Sequence, residues 1–242
     1  MISETYSKKI DSCLNALAQL EIEVESIIKN YKDNKMPDSE INKSEFFNSI
    51  LKKDLKQEHI TYMNSKLEKL QHFRDHRKPY EYGIDLVLGW IIEDGILELL
   101  KQSKIHSILT GNDRYREFLH PRKISTQPDI EIEINKKNKK FLEIMFSWKD
   151  TWFKKGHIDL RDSKLKKLKE HKALFLGIEP ISAVAFLMDF EKKQSGWKQT
   201  KISGYGGKMG YTNNKIKKHL KSLKDILKII KNLCDFLKES LA

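Results

Sequence analysis

Four acids, Asp129, Glu131, Glu133 and Glu143, are the residues whose spacing most directly implies chemistry. The first three alternate with Ile130, Ile132 and Ile134, the period of two expected of a strand with one buried face. A polar, basic stretch follows from Lys136 to Lys140, around Asn138, and reads as a turn. Alternation then resumes, with Leu142, Ile144, Phe146 and Trp148 on one side and Glu143, Met145, Ser147 and Lys149 on the other. A hairpin over residues 127–149 must turn both apolar rows to one core, which gathers the four acids on the opposite face. Carboxylates on neighbouring strands repel one another. Solvent, lysine partners or a divalent cation relieve such a cluster, and a hard cation such as Mg²⁺ prefers oxygen ligands. The plain alternative is a solvated edge hairpin whose acids balance a basic protein.

Pro128-Asp129, the alternating strand, the short turn and Phe141-Leu142-Glu143-Ile144 together resemble the PD-(D/E)XK nuclease motif. In that superfamily the aspartate and the glutamate hold the metal, and a lysine two residues past the glutamate touches the attacking water. The resemblance implies Asp129 and Glu143 as ligands of Mg²⁺ and as catalytic residues. It departs at the third member, because Met145 stands at the lysine position and a thioether neither donates a proton nor carries charge. Lys149 is the first substitute considered. It shares the strand face with Glu143 but lies ~20 Å away along a straight strand, nearer the aspartate end. Lys164 and Lys167, on the helix expected next, are the other donors, and the superfamily tolerates relocation of this lysine.

Those residues need a frame and a substrate. A chain of 242 residues can bury a good core, and it carries 46 Lys and Arg against 34 Asp and Glu, a net charge of +12. Such a balance attracts polyanions, chiefly nucleic acid, although a lysine-rich proteome produces the same sign. The distribution favours the first account: residues 192–224 hold ten lysines and no carboxylate, whereas the hairpin concentrates acids. No apolar run reaches the ~20 residues that span a bilayer. The polar, lysine-bearing first helix does not read as a secretory leader, and Cys13 and Cys234 suit free thiols in the cytoplasm.

Along the chain, residues 7–31 repeat apolar positions at steps of three and four, predicting one helix with a narrow seam. Further helices are expected over 44–54 and 59–74, the latter closing in His72, Arg74, His76, Arg77 and Lys78. The strongest helical pattern runs from Tyr80 to Gln102, with Glu81, Asp85, Gly89 and Glu93 in one line. Nucleases of this kind often draw an acidic metal ligand from a helix before the catalytic hairpin, which nominates Glu81, with Asp85 as an alternative; a solvated acidic stripe is the plainer reading. A short strand is expected at 107–110. Arg114, Arg116, His120, Arg122 and Lys123 then lead into the hairpin, and arginine forks suit phosphate oxygens and guanine edges. Past the hairpin, Trp152 and Phe153 lie between lysines as a candidate DNA-facing loop. A helix is expected over 160–171, with strands over 173–178 and 183–190.

Gly196 to Tyr211 interleaves glycines, aromatics and Lys198, Lys201 and Lys208, and is expected to form a flexible DNA-contacting loop. A long helix over 213–241, with a second heptad seam, should close the chain by packing on the first helix or on a dimer partner. The whole predicts an α/β fold: a restriction-endonuclease-like mixed β-sheet core flanked by helices, with long N- and C-terminal helices. Three segments are expected: a helical region at 1–78, the nuclease-like core at 79–212 and the C-terminal helix at 213–242. The function implied is Mg²⁺-dependent, sequence-specific cleavage of double-stranded DNA by a cytoplasmic homodimer of the type II restriction kind, with no membrane partner. A catalytically inactive DNA-binding protein of the same fold, or a repair or RNA nuclease, are the rivals.

Overall fold

The computed structural model describes residues 3–68, 77–111, 113–118, 127–135, 138–192, 196–202 and 207–233. The chain divides into two compact units, Met1–Ile96 with Asn112–Ser125, and Leu97–Gly111 with Thr126–Ala242. The division falls inside a helix.

The first unit is helical. Helices α1 (Glu4–Gln19) and α2 (Val24–Lys29) replace the single expected one. The break is a left-handed Glu21 (φ 55°), where the Leu20 and Ile22 N–H groups fold back on the Ala16 and Leu17 carbonyls, 3.0 Å each. Seam residues Ile10, Cys13, Leu17, Leu20 and Ile27 are nevertheless all buried. Burial pushes the Cys13 thiol up to about 12, so it is inert. Helices α3 (Lys43–Leu51), α4 (Gln57–Leu67) and most of α5 (Pro79–Gln102) complete the unit. Phe46, Phe47, Tyr62, Trp90 and Phe118 pack edge to face or tilted within 6.2 Å at its centre.

The acidic line along α5 is not a solvated stripe. Asp85 and Glu93 are buried, paired with Lys9 (2.8 Å) and Arg77 (2.6 Å) and with Arg116 (2.6 Å), respectively. Arg116, expected to face phosphate, is 1% exposed and also holds Asp94 at 2.5 Å.

The second unit carries two sheets. Strands β1 (Ser107–Leu109), β2 (Ile130–Asn135) and β3 (Asn138–Phe146) run antiparallel. Helix α6 (Thr151–Lys155), strand β4 (Ile158–Arg161) and helix α7 (Asp162–Glu170) carry the chain back to β5 (Leu174–Glu179), which lies parallel to β3. Strand β6 (Val184–Asp189) and the short β9 (Lys221–Ser222) complete a mixed sheet in the order β1-β2-β3-β5-β6-β9. A second, antiparallel sheet has the order β4-β8-β7, from β7 (Trp197–Ile202) and β8 (Lys208–Asn213). The Gly196–Tyr211 stretch is therefore largely a β-hairpin and not a loop, and its tip, with Gly204, Tyr205 and Gly206, lies outside the described residues.

The C-terminal helix is also shorter than expected. Asn213 closes β8, Ile216–Lys218 form a 3-10 turn, and α8 (Leu223–Lys231) begins where the Ser222 hydroxyl accepts the Asp225 N–H at 3.2 Å. Residues 234–242, with Cys234, lie outside the described part.

Strand register explains the layers. Ile130, Leu142, Leu174, Leu176 and Ile178 share one buried face of the large sheet. The other face carries Phe141, Met145, Phe175, Phe186 and Met188, packed in one cluster with Leu165 and Leu168 of α7 and Ile158 and Leu160 of the small sheet. Gly177 is needed there, because a Cβ would come within 2.2 Å of the Phe186 ring. Among the described residues no helix is long and apolar enough to cross a membrane.

Candidate active site

Asp129 is the residue before β2, next in sequence to Ile130, while Glu143 follows Leu142, the ladder partner of Ile130. Both of its ends are held. Its carbonyl accepts the Thr110 N–H at 2.9 Å, and its carboxylate Oδ2 accepts the Ile144 N–H at 2.7 Å. Pro128 before it offers no amide to the ladder, and its carbonyl takes the Thr110 hydroxyl instead. The amide that holds the Asp129 carboxylate belongs to the residue after Glu143, which brings the two acids to the same end of the β2–β3 ladder.

Glu143 lies in β3 between β2 and β5, in register with Phe175. It is 5% exposed, and a desolvated carboxylate in that setting requires a partner. Lys164 supplies it through a direct ion pair to Oε1, with its own side chain 34% exposed. The local cause is the amphipathic pattern of α7. Leu165 and Leu168 enter the core, and Lys164, beside Leu165 in the first turn, is left at the margin over Glu143. Lys167, one turn on, has its ammonium pKa lowered by burial.

The other nominated residues fall elsewhere. Met145 is half-buried against the core, opposite Gly177. Lys149 is exposed in a bend past the end of β3, its carbonyl taking the Ser147 hydroxyl at 2.7 Å, so the straight strand that would carry it from Glu143 ends at Phe146. Glu131 pairs with Lys139 at 2.6 Å, which raises the lysine pKa through that hydrogen bond. Glu133 lies 3.8 Å from His106. The acidic face of the hairpin is thus relieved mostly by lysines, one of the three expected remedies. Glu81 belongs to the other unit, where its carboxylate caps the Lys78 N–H at 2.8 Å.

Arg122 and Lys123 lie outside the described residues. Lys198, Lys201 and Lys208 are exposed on β7 and β8. The register places Lys198 and Lys208 on one sheet face with Arg161, and Lys201 on the other. Arg161 was not singled out from the sequence, although the alternation of Ile158-Asp159-Leu160-Arg161 is a readable strand signal. Trp152 is 3% exposed and belongs to the core, while Phe153 beside it is exposed.

Among the described residues, no group of three or more His, Cys, Asp or Glu side chains could hold a metal ion. The Asp129 and Glu143 donor set still fits Mg²⁺, which keeps several waters and is bound through one or two carboxylates plus substrate phosphate. No protein-family model matches the chain, and no curated protein is similar to it at a significant level.

Proposed function

We propose that the chain is a Mg²⁺-dependent DNA endonuclease, with Asp129 and Glu143 as metal ligands and Lys164 in the role that the motif gives to a strand lysine. The observation that carries this reading is the Lys164–Glu143 ion pair, one residue from the amide that holds the Asp129 carboxylate. It brings two acids and a cation together on neighbouring elements. Mg²⁺, when bound, polarises the phosphoryl oxygen and lowers the pKa of a coordinated water. Asp129, just before β2, and Glu143, within β3, supply fixed oxygens. Lys164 is exposed enough to meet solvent and substrate, and its ammonium can hold the attacking water or the developing charge.

Arg161, Lys198 and Lys208 on one face of the small sheet, with Lys201 on the other, fit a salt-dependent grip on phosphates. Arg122 and Lys123, just before the hairpin, belong to the same proposal. The mixed sheet flanked by helices agrees with a restriction-endonuclease-like core, and the motif resemblance extends the proposal to sequence-specific cutting of duplex DNA by a homodimer. The reading as an inactive DNA-binding protein rests on Met145, and Lys164 weakens it by bringing a cation to the same carboxylate. Plasmid cleavage tests the proposal. Cutting should need Mg²⁺, stop with EDTA, and disappear in Asp129→Ala and Glu143→Ala. Cleavage unchanged in either variant, or tight DNA binding without nicking in Mg²⁺, would end it.

A further inference from the structure

A second recess lies in the same unit, where the chain after β3 meets the segment leading into β9. It has a volume of about 470 Å³, with Phe153, Val184 and Leu220 as its apolar lining and Lys154, Lys217 and Lys221 as its charged one. That size falls in the about 300–1,000 Å³ range of small-molecule sites. None of the lining residues is an acid.

The recess is built rather than incidental. Glu179, fully buried, accepts the N–H groups of Trp152 (2.8 Å) and Phe153 (3.1 Å), which fixes the start of α6 to the end of β5. Trp152 is thereby sunk in the core while Phe153 remains 53% exposed, a large aromatic face left to solvent. Gly156 turns the chain at φ 73°, and the aliphatic stem of Lys217 lies 3.0–3.1 Å from where a side chain would begin. The missing side chain therefore lets that stem lie close over the turn. Lys154 is engaged by Asp150 at 2.5 Å, so Lys217 and Lys221 are the better phosphate donors.

We propose that this recess takes one nucleotide of a nucleic-acid strand, its base against Phe153 and Leu220 and its phosphate between Lys217 and Lys221. A flat exposed ring with flanking ammonium groups is the arrangement that serves base stacking and backbone charge together. An acidic peptide would leave the ring unused, and a lipid surface needs a broader apolar patch than this lining offers. The geometry also suits the proposed cleavage site. Glu179 lies four residues along β5 from Phe175, the residue paired with Glu143, which is roughly 13 Å of strand. A nucleic-acid strand at about 3.4 Å per nucleotide covers that distance in roughly four nucleotides. The partner class rests on the nuclease reading, but the recess itself does not.

The test is binding of a fluorescently labelled oligothymidine to the full chain in EDTA, where no cutting can occur. Phe153→Ala should weaken binding about fivefold or more, as loss of one stacked base does. Lys217→Glu with Lys221→Glu should weaken it further and flatten its log–log salt dependence by roughly 0.7 for each phosphate no longer neutralised. Lys29→Glu, an exposed charge reversal on α2, should bind as wild type. Wild-type affinity in Phe153→Ala or in the double lysine variant would overturn the recess. Binding of phosphatidylserine vesicles through the same residues, in preference to the oligonucleotide, would overturn it equally. A wild-type protein that binds through Phe153 yet never cuts DNA in Mg²⁺ would overturn the hydrolysis alone.

Discussion

Replacing Lys164 with alanine separates structure from catalysis at the centre of the proposed site. Glu143 is 5% exposed between β2 and β5, and Lys164 is its ion-pair partner. Removing one member of a fully buried pair costs about 3–5 kcal/mol, because the remaining charge is left without compensation. Lys164 is 34% exposed, so water can enter the gap, and the cost should fall to about 1–3 kcal/mol. Glu143→Gln removes the charge but keeps the shape, and should cost less than about 1 kcal/mol. The double variant should then be more stable than Lys164→Ala alone, a coupling of about 1–2 kcal/mol in urea unfolding. Added Mg²⁺ should stabilise Lys164→Ala more than wild type, since the cation no longer competes with an ammonium for Glu143. Activity should move the other way, with Lys164→Ala cutting DNA about 10²–10⁴-fold more slowly. Wild-type stability and wild-type cutting in this variant would refute the argument, whatever Asp129→Ala does.

Two further outcomes follow from the helical unit. Arg116→Met strips Glu93 and Asp94 of the guanidinium they share in a buried site and should cost about 3–5 kcal/mol, with Arg116→Lys recovering only part because an ammonium cannot fork. Buried Trp90 in the same unit reports the unfolding by fluorescence, and a loss under about 1 kcal/mol would contradict the pairing. His59, 1% exposed with its Nδ1 2.8 Å from the Ser49 hydroxyl, has its pKa lowered from 6.5 by burial. The unfolded chain therefore takes up the proton first as pH falls. The stability that neutral His59 contributes is complete above 6.5 and is lost as pH drops through the folded-state pKa. Thermal melts from pH 8 towards pH 5 should show that decline in wild type and a shallower one in His59→Asn; parallel profiles would remove His59 as the cause.

The parts of this fold legible in the sequence are those where one residue's neighbours in the chain decide its environment. Ile130 and Ile132 had to share a face with Leu142 and Ile144, and the ladder register places them so. Helix α5 follows from its apolar stripe alone. What was hidden depended on contacts between distant segments. The acids of α5 look like a solvated line until Lys9, Arg77 and Arg116 arrive from elsewhere in the chain. The terminal heptads were overread because spacing by threes and fours does not register a stop. Glu21 ends α1 in a left-handed conformation, and Ser222 starts α8 as a cap, after a strand and a 3-10 turn have used the earlier apolar positions. Glycines between Gly196 and Tyr211 suggested a loop, yet Gly210 sits inside β8, where a side chain would strike Ile202.

The methionine at position 145 has a physical reason of the same kind. Position 145 faces the layer formed by α7 and the small sheet, and its cross-strand neighbour Gly177 is overlaid by the Phe186 ring. Met145 is partly buried against the cluster that includes Phe175, Phe186 and Trp152, an apolar setting that suits a thioether better than an ammonium. Glu143, two residues earlier on the same face, still needs a cation. The segment that covers this face is α7, and its leucines must point inward, so the residue flanking Leu165 emerges at the rim where Glu143 ends. A lysine at 164 therefore satisfies the carboxylate without burying an unpaired charge. Position 145 sits against an apolar cluster, whereas the Lys164 side chain stays a third exposed beside the carboxylate that it pairs.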